Sequence, residues 1–162
     1  MNRTDSRAEL VAQYRWLKEW ALTCAAPLWA EKGIDTQQGG FIERLDHDGN
    51  ELVVPRRARL VARQTYSFAT LRRLGWRSPS DLLAFGFATL ADRFVTQDGE
   101  VVPERHRDGT IARQGHDLYD TAFVLFALAT IAADPAQAGR ARAMARAILE
   151  RLGRHRHAKG GF

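Results

Sequence analysis

A chain of 162 residues, 45% of them hydrophobic, can bury one core but is short for several domains. A lone cysteine rules out a disulfide framework, no apolar run is long enough to span a bilayer, and the charged N-terminus has no apolar segment behind it; a cytoplasmic protein without a membrane partner is expected. The net charge of +5 is almost all arginine, scattered over every predicted helix and not gathered into one basic run, which argues against nucleic acid as a partner.

The first predicted element is an amphipathic helix over residues 7–26. Leu10, Tyr14, Leu17, Ala21 and Cys24 recur at three and four, Arg15, Lys18 and Glu19 face out, and the helix stops at Pro27 or soon after, at Gly33. A long connection follows, 31–55, in which two short extended runs around Asp48-Gly49 read as a small hairpin. A second helix begins just after Pro55 and ends near Gly75. After a short connection, Ser78 as N-cap with Pro79 in the first turn opens a third helix reaching about Val95. Another long connection, 96–114, repeats the Asp-Gly turn at Asp98-Gly99. The fourth helix, 117–133, is apolar nearly all round, as buried helices are; the fifth, 136–152, turns Ala141, Ala145, Ile148 and Leu152 inward.

Connections therefore alternate long and short, and the more apolar helices follow the long ones. Helix pairs of this kind, recurring at roughly 60 residues, build a toroid with amphipathic helices outside and apolar helices inside. All long connections then emerge on one face, where a pocket forms. Gly160-Gly161-Phe162 stands after an outer helix as Gly39-Gly40-Phe41 does, so a third long loop is starting. The expected fold is all-α: about five helices, residues 1–162, forming one incomplete domain that is part of a longer toroid, with hairpin-bearing loops on one side.

The helix after Pro55 carries the most unusual polar pattern. Arg59, Arg63, Tyr66 and Thr70 share one stripe, and Gln64 stands beside them in an otherwise small and apolar run. Two readings fit. The arginines pair with carboxylates, or a fixed guanidinium beside a phenol recognises hydroxyl or carbonyl oxygens.

Pro27-Leu28-Trp29, Gly39-Gly40-Phe41-Ile42-Glu43, Pro55-Arg56-Arg57, Ala62-Arg63-Gln64-Thr65-Tyr66-Ser67-Phe68-Ala69, Leu74-Gly75-Trp76 and Asp117-Leu118-Tyr119-Asp120-Thr121-Ala122-Phe123, in this order over nearly the whole chain, resemble the N-acylglucosamine 2-epimerase family, and within it the mannose isomerase-like branch. The resemblance implies the N-terminal part of an (α/α)6 barrel and an isomerase or 2-epimerase acting on free sugars without metal or redox cofactor. It puts the family's active-site arginine at Arg63 and its pocket tyrosine at Tyr119. Arg59, Gln64 and Asp117 are the further candidates for substrate binding. Asp117 and Asp120 can orient sugar hydroxyls, though Asp117 reads equally as a helix cap. The family's proton-transfer histidines fall in later segments. None of His47, His106, His116, His155 and His157 matches one, so the chain by itself is expected to be inactive; Thr121 stands where many members carry histidine, which leaves the substrate open.

Aldose–ketose exchange removes a C2 proton beside a carbonyl and redelivers it through an enediol; a group of near-neutral pKa moves the proton and fixed donors hold the oxyanion. A glycoside hydrolase or lyase on the same toroid needs a carboxylate pair instead, for which Glu43, Glu104, Asp117 and Asp120 are available. A helical-repeat binding module needs neither. The expected partner is a small sugar, with self-association through an exposed helical edge.

Overall fold

The computed structural model describes residues 3–78 and 80–161. Its helices are α1 (Arg3–Trp20), which continues through a π turn (Ala21–Ala25) into α2 (Ala26–Lys32), α3 (Ala58–Arg73), α4 (Leu82–Thr89) prolonged by a second π turn (Leu90–Phe94), α5 (Leu118–Ile131) and α6 (Ala138–Gly153). As five continuous helical stretches they match the expected number. Two starts differ most: the first helix opens at Arg3, not at residue 7, and α4 opens at Leu82. Asp81 caps α4 by accepting the N–H of Ala84 at 3.0 Å, while Ser78 accepts only that of Ser80 at 3.2 Å; the expected first-turn Pro79 lies outside the described residues.

Helices α3 and α5 lie side by side and run parallel: Arg59 meets Asp120, Arg63 meets Phe123 and Tyr66 meets Phe126, so residue numbers rise together along the seam. Parallel neighbours need a long return, which α4 supplies between α3 and α5; α6 follows α5. Helix α4 packs against α3 and α6 against α5. Val61, Phe68, Phe87, Leu90, Val124, Leu128, Ile131 and Ile148 form the core between these two layers. Burying a side chain of that size contributes about 1.5–3 kcal/mol each. At the α3–α4 contact Gly86 lets the backbones close up, since a Cβ there would fall 2.1 Å from Thr65 Oγ1.

The long loops are built on one repeated turn. The N–H of Asp46 donates to the Asn50 carbonyl and that of Gly49 to the Asp46 carbonyl. Thr96, Gly99 and Glu100 repeat the pattern, as do His106, Gly109 and Thr110. Each turn places a glycine at positive φ, +81°, +82° and +91° for Gly49, Gly99 and Gly109, the region open to glycine at little cost. Around the first turn the expected hairpin is reduced to a single antiparallel bridge, Leu45 with Glu51; a second bridge, Ile34 with Phe41, lies earlier in the same loop. The full ladder forms between loops: β1 (Arg56–Arg57) pairs antiparallel with β2 (Glu104–Arg105), and β2 with β3 (Ile111–Arg113).

Both long loops thus sit at the N-terminal ends of α3 and α5, and charge locks them together. The buried Asp35 takes Arg56 Nη2 at 2.6 Å and Arg107 Nε at 2.8 Å, and Glu51 takes Arg56 at 2.9 Å. The Asp35 oxygens also accept the N–H groups of Gln37 and Gln38. Hydrogen bonding from Arg107, with the Gln38 N–H and Arg56, outweighs burial and holds the Asp35 carboxyl well below the usual carboxylate range. Alongside, the buried Glu43 binds the Arg57 guanidinium and accepts its N–H at 3.0 Å.

The outer face of α1 is open. Leu10 (66% exposed), Tyr14, Trp16, Leu17 and Trp20 stand in solvent. The stripe read from the sequence as a buried face has no covering element among the described residues. No described helix is long and apolar enough to cross a membrane.

Candidate functional site

The first turns of α3 and α5 meet beneath the loops. Arg63 is exposed, and its Nη2 donates to the Tyr119 hydroxyl at 2.8 Å. Its guanidinium carbon lies 4.2 Å from the Phe123 ring centroid and 5.8 Å from that of Tyr119. Stacking on Phe123 fixes the plane of the fork, and the phenol fixes one of its edges. Among the described residues no carboxylate neutralises Arg63. It is a cation held in place with donors left over, the arrangement that suits an oxygen carrying negative charge.

Arg59, one turn earlier, is spent differently. Its Nη1 lies 3.0 Å from Asp120 Oδ2, and its guanidinium carbon is 5.7 Å from the Tyr119 ring centroid. The two sequence readings of this stripe divide between its members: Arg59 pairs with a carboxylate, whereas Arg63 pairs with a phenol. Gln64 turns away from Tyr119 and lines an open groove of about 500 Å³ between α3 and the helix of Ala25 and Trp29; Arg63 borders the same groove.

Asp117 caps α5 by accepting the Asp120 N–H at 3.1 Å, and its other oxygen takes Arg113 Nη2 at 3.0 Å. Burial pulls its carboxyl upward, but the Asp120 N–H and the Arg113 guanidinium prevail and hold it below the ordinary carboxylate value. Asp120 is fully buried. Burial pushes its carboxyl above the ordinary value against the pull of the Arg59 N–H and guanidinium.

The four carboxylates available to a hydrolase are all engaged: Glu43 with Arg57, Glu104 with Arg113 at 3.7 Å, and Asp117 and Asp120 with Arg59 and Arg113. No histidine lies on α3 or α5. His116, just before α5, stacks on His155 with ring centroids 4.6 Å apart, and burial together with the His155 charge lowers its pKa. Among the described residues no three His, Cys, Asp or Glu side chains gather as a metal site would require.

Phe123 is the residue of this cluster that reading the sequence undervalued, and Asp120, read there as orienting sugar hydroxyls, is instead buried against Arg59 and Arg113. Phe123 was an apolar position in an apolar helix. Only its place one turn after Tyr119, facing the Arg63 stripe, hinted at more.

The profile of the N-acylglucosamine 2-epimerase (GlcNAc 2-epimerase) family matches residues 40–162. Over 117 residues the sequence is 37% identical to the mannose-6-phosphate isomerase of Rhizobium meliloti (strain 1021), a match covering 72% of this chain and 30% of that protein. The structure superimposes on cellobiose 2-epimerase from Spirochaeta thermophila DSM 6192 with a TM-score of 0.78 at 20% identity, over 95% of this chain and 39% of that one. The chain therefore spans well under half the length of these relatives, and its arc of paired helices is a section of an (α/α)6 barrel.

Proposed function

The chain belongs to the N-acylglucosamine 2-epimerase family, and on that footing we propose that it forms the oxygen-binding part of a sugar isomerase or 2-epimerase site. The observation that carries this is the Arg63–Tyr119 pair: a guanidinium with no carboxylate, stacked on Phe123 and bonded to a phenol at 2.8 Å. An aldose entering from the loop side presents its carbonyl oxygen to Arg63. As the C2 proton leaves, charge develops on that oxygen, and the fixed guanidinium stabilises the enediolate. The Tyr119 hydroxyl is the second contact, either to that oxygen or to the neighbouring hydroxyl.

Moving the proton between C2 and C1 needs a base of near-neutral pKa, and no histidine of this chain lies on the two inner helices. We assign that role to groups outside residues 1–162, on the ground that the chain matches only 30% of the isomerase relative's length. The 162-residue chain then binds sugar without turning it over.

Incubation with D-mannose in D2O, followed by NMR, tests this. The chain alone is expected to give neither fructose nor deuterium at C2. Residues 1–162 fused to the later portion of the longer isomerase relative are expected to turn mannose over, and Arg63→Ala in that fusion to lose about 10²–10³ in turnover, the scale of a missing oxyanion donor. Turnover by the chain alone that survives Arg63→Ala contradicts the assignment.

A further inference from the structure

Helix α3 begins without a cap of its own: Arg57, at the N-cap position, makes no side-chain cap hydrogen bond. The first N–H groups of a helix have no partner within it and are costly to bury unpaired. Here the partner comes from the neighbouring helix. Asp120 Oδ1 accepts the backbone N–H of Arg59 at 2.9 Å, and its Oδ2 accepts Arg59 Nη1 at 3.0 Å and Arg113 Nη2 at 3.2 Å. One carboxylate therefore ties the start of α3, the start of α5 and the last strand of the second loop.

We propose that Asp120 is a positioning residue, a cap supplied across the helix seam that sets the register at which Arg63 meets the Tyr119 hydroxyl. The proposal rests on the reading of that pair as the oxygen-binding site. Tyr119 is the chain neighbour of Asp120, and Arg63 lies one helical turn beyond Arg59, so a shift at the clamp passes directly to both partners. Asp120 itself is sealed from solvent. Its carboxylate form is needed because all three of its partners are donors; an amide would turn a donor of its own toward two guanidinium groups. Arg63, by contrast, keeps its fork free because Asp120 and Asp117 absorb Arg59 and Arg113.

The test reads the pair and not merely stability. The chain holds three tyrosines, Tyr14, Tyr66 and Tyr119, so 3-fluorotyrosine labelling gives three ¹⁹F resonances, with Tyr119 assigned by Tyr119→Phe. Arg63→Ala marks the position of the unpaired phenol. Asp120→Asn, almost the same shape, is expected to move the Tyr119 resonance toward that mark and leave Tyr14 and Tyr66 in place. If Asp120→Asn does not fold by circular dichroism, Arg113→Met removes the loop-side partner of the same carboxylate while leaving the Arg59 guanidinium over the Tyr119 ring, and is expected to move Tyr119 in the same direction. A Tyr119 resonance unchanged in the folded variant, even with a lowered Tm, makes Asp120 a stabilising group only and overturns the proposal. Titration of the wild type with D-mannose separates the two layers. If Asp120→Asn moves Tyr119 but mannose moves nothing, the clamp stands and the sugar reading of the pair fails.

Discussion

What distinguishes Arg63 from the helix and loop arginines around it is that no described carboxylate neutralises it. Arg56, Arg57, Arg59, Arg107 and Arg113 are each tied to a carboxylate, and Arg63 is tied to a phenol and a ring. Spacing alone separates them poorly, since Arg59 and Arg63 share a stripe. Their partners stand 61 and 56 residues away, beyond anything local periodicity reports. The geometry makes Arg63→Lys a poor replacement: an ammonium cannot lie flat on Phe123 while donating sideways to Tyr119. In a fusion that turns mannose over, Arg63→Lys is expected to recover less than a tenth of the wild-type kcat/KM, about 1.4 kcal/mol or more of lost transition-state stabilisation. Steady-state kinetics check this, and near-wild-type values would show that charge alone suffices.

Helix number, order and the sidedness of the loops follow from patterns visible in the sequence, because apolar periodicity is set by how each helix packs. The Asp-Gly turns were legible too, and Asp108-Gly109, which closes the β2–β3 hairpin, carries the same mark as the two singled out. What could not be read is that the loops pair with each other. Asp35 reaches Arg107 across 72 positions, and β1 finds its partners at Glu104 and Arg105 in the next loop. Two outcomes test these elements. Because Asp35 has its carboxyl pKa depressed below the ordinary 3.8, the folded protein binds fewer protons there than the unfolded chain. Its contribution is full above that value and lost as pH falls through the folded-state pKa. Acid unfolding followed by circular dichroism should then show Asp35→Asn less stable than wild type at pH 7, by about 3–5 kcal/mol for a broken buried pair, with the gap narrowing below pH 3.8. A constant gap down to strongly acid pH would mean that the loop clamp is not ionic. At the α3–α4 contact, Gly86→Ala forces a methyl onto Thr65 and should cost about 1–3 kcal/mol in urea unfolding. Gly139→Ala, with nothing within 4 Å of the added atom, serves as control.

As a whole the molecule is an arc with two open apolar edges. One is the α1 face of Leu10, Tyr14, Trp16, Leu17 and Trp20; the other is the half-exposed α5 face of Leu118 and Phe126, the latter beside Tyr66. Contiguous exposure of this kind is unusual in a monomer and favours association. We expect the purified 162-residue chain to run above its monomer mass of 18.2 kDa in light scattering, and Leu10→Glu with Leu17→Glu to shift it toward monomer. A wild-type chain that stays monomeric at high concentration would mean that these edges do not associate.

The site itself is tested most directly by saturation-transfer NMR with D-mannose and D-fructose on the chain and on its Arg63→Ala variant. The expected result is transfer to sugar protons near C1 and C2 with the wild-type chain, largely lost with Arg63→Ala while the variant's circular dichroism is unchanged. Equal transfer to both proteins, or none to the wild type, would contradict the assignment of the Arg63–Tyr119 pair as a sugar-binding site.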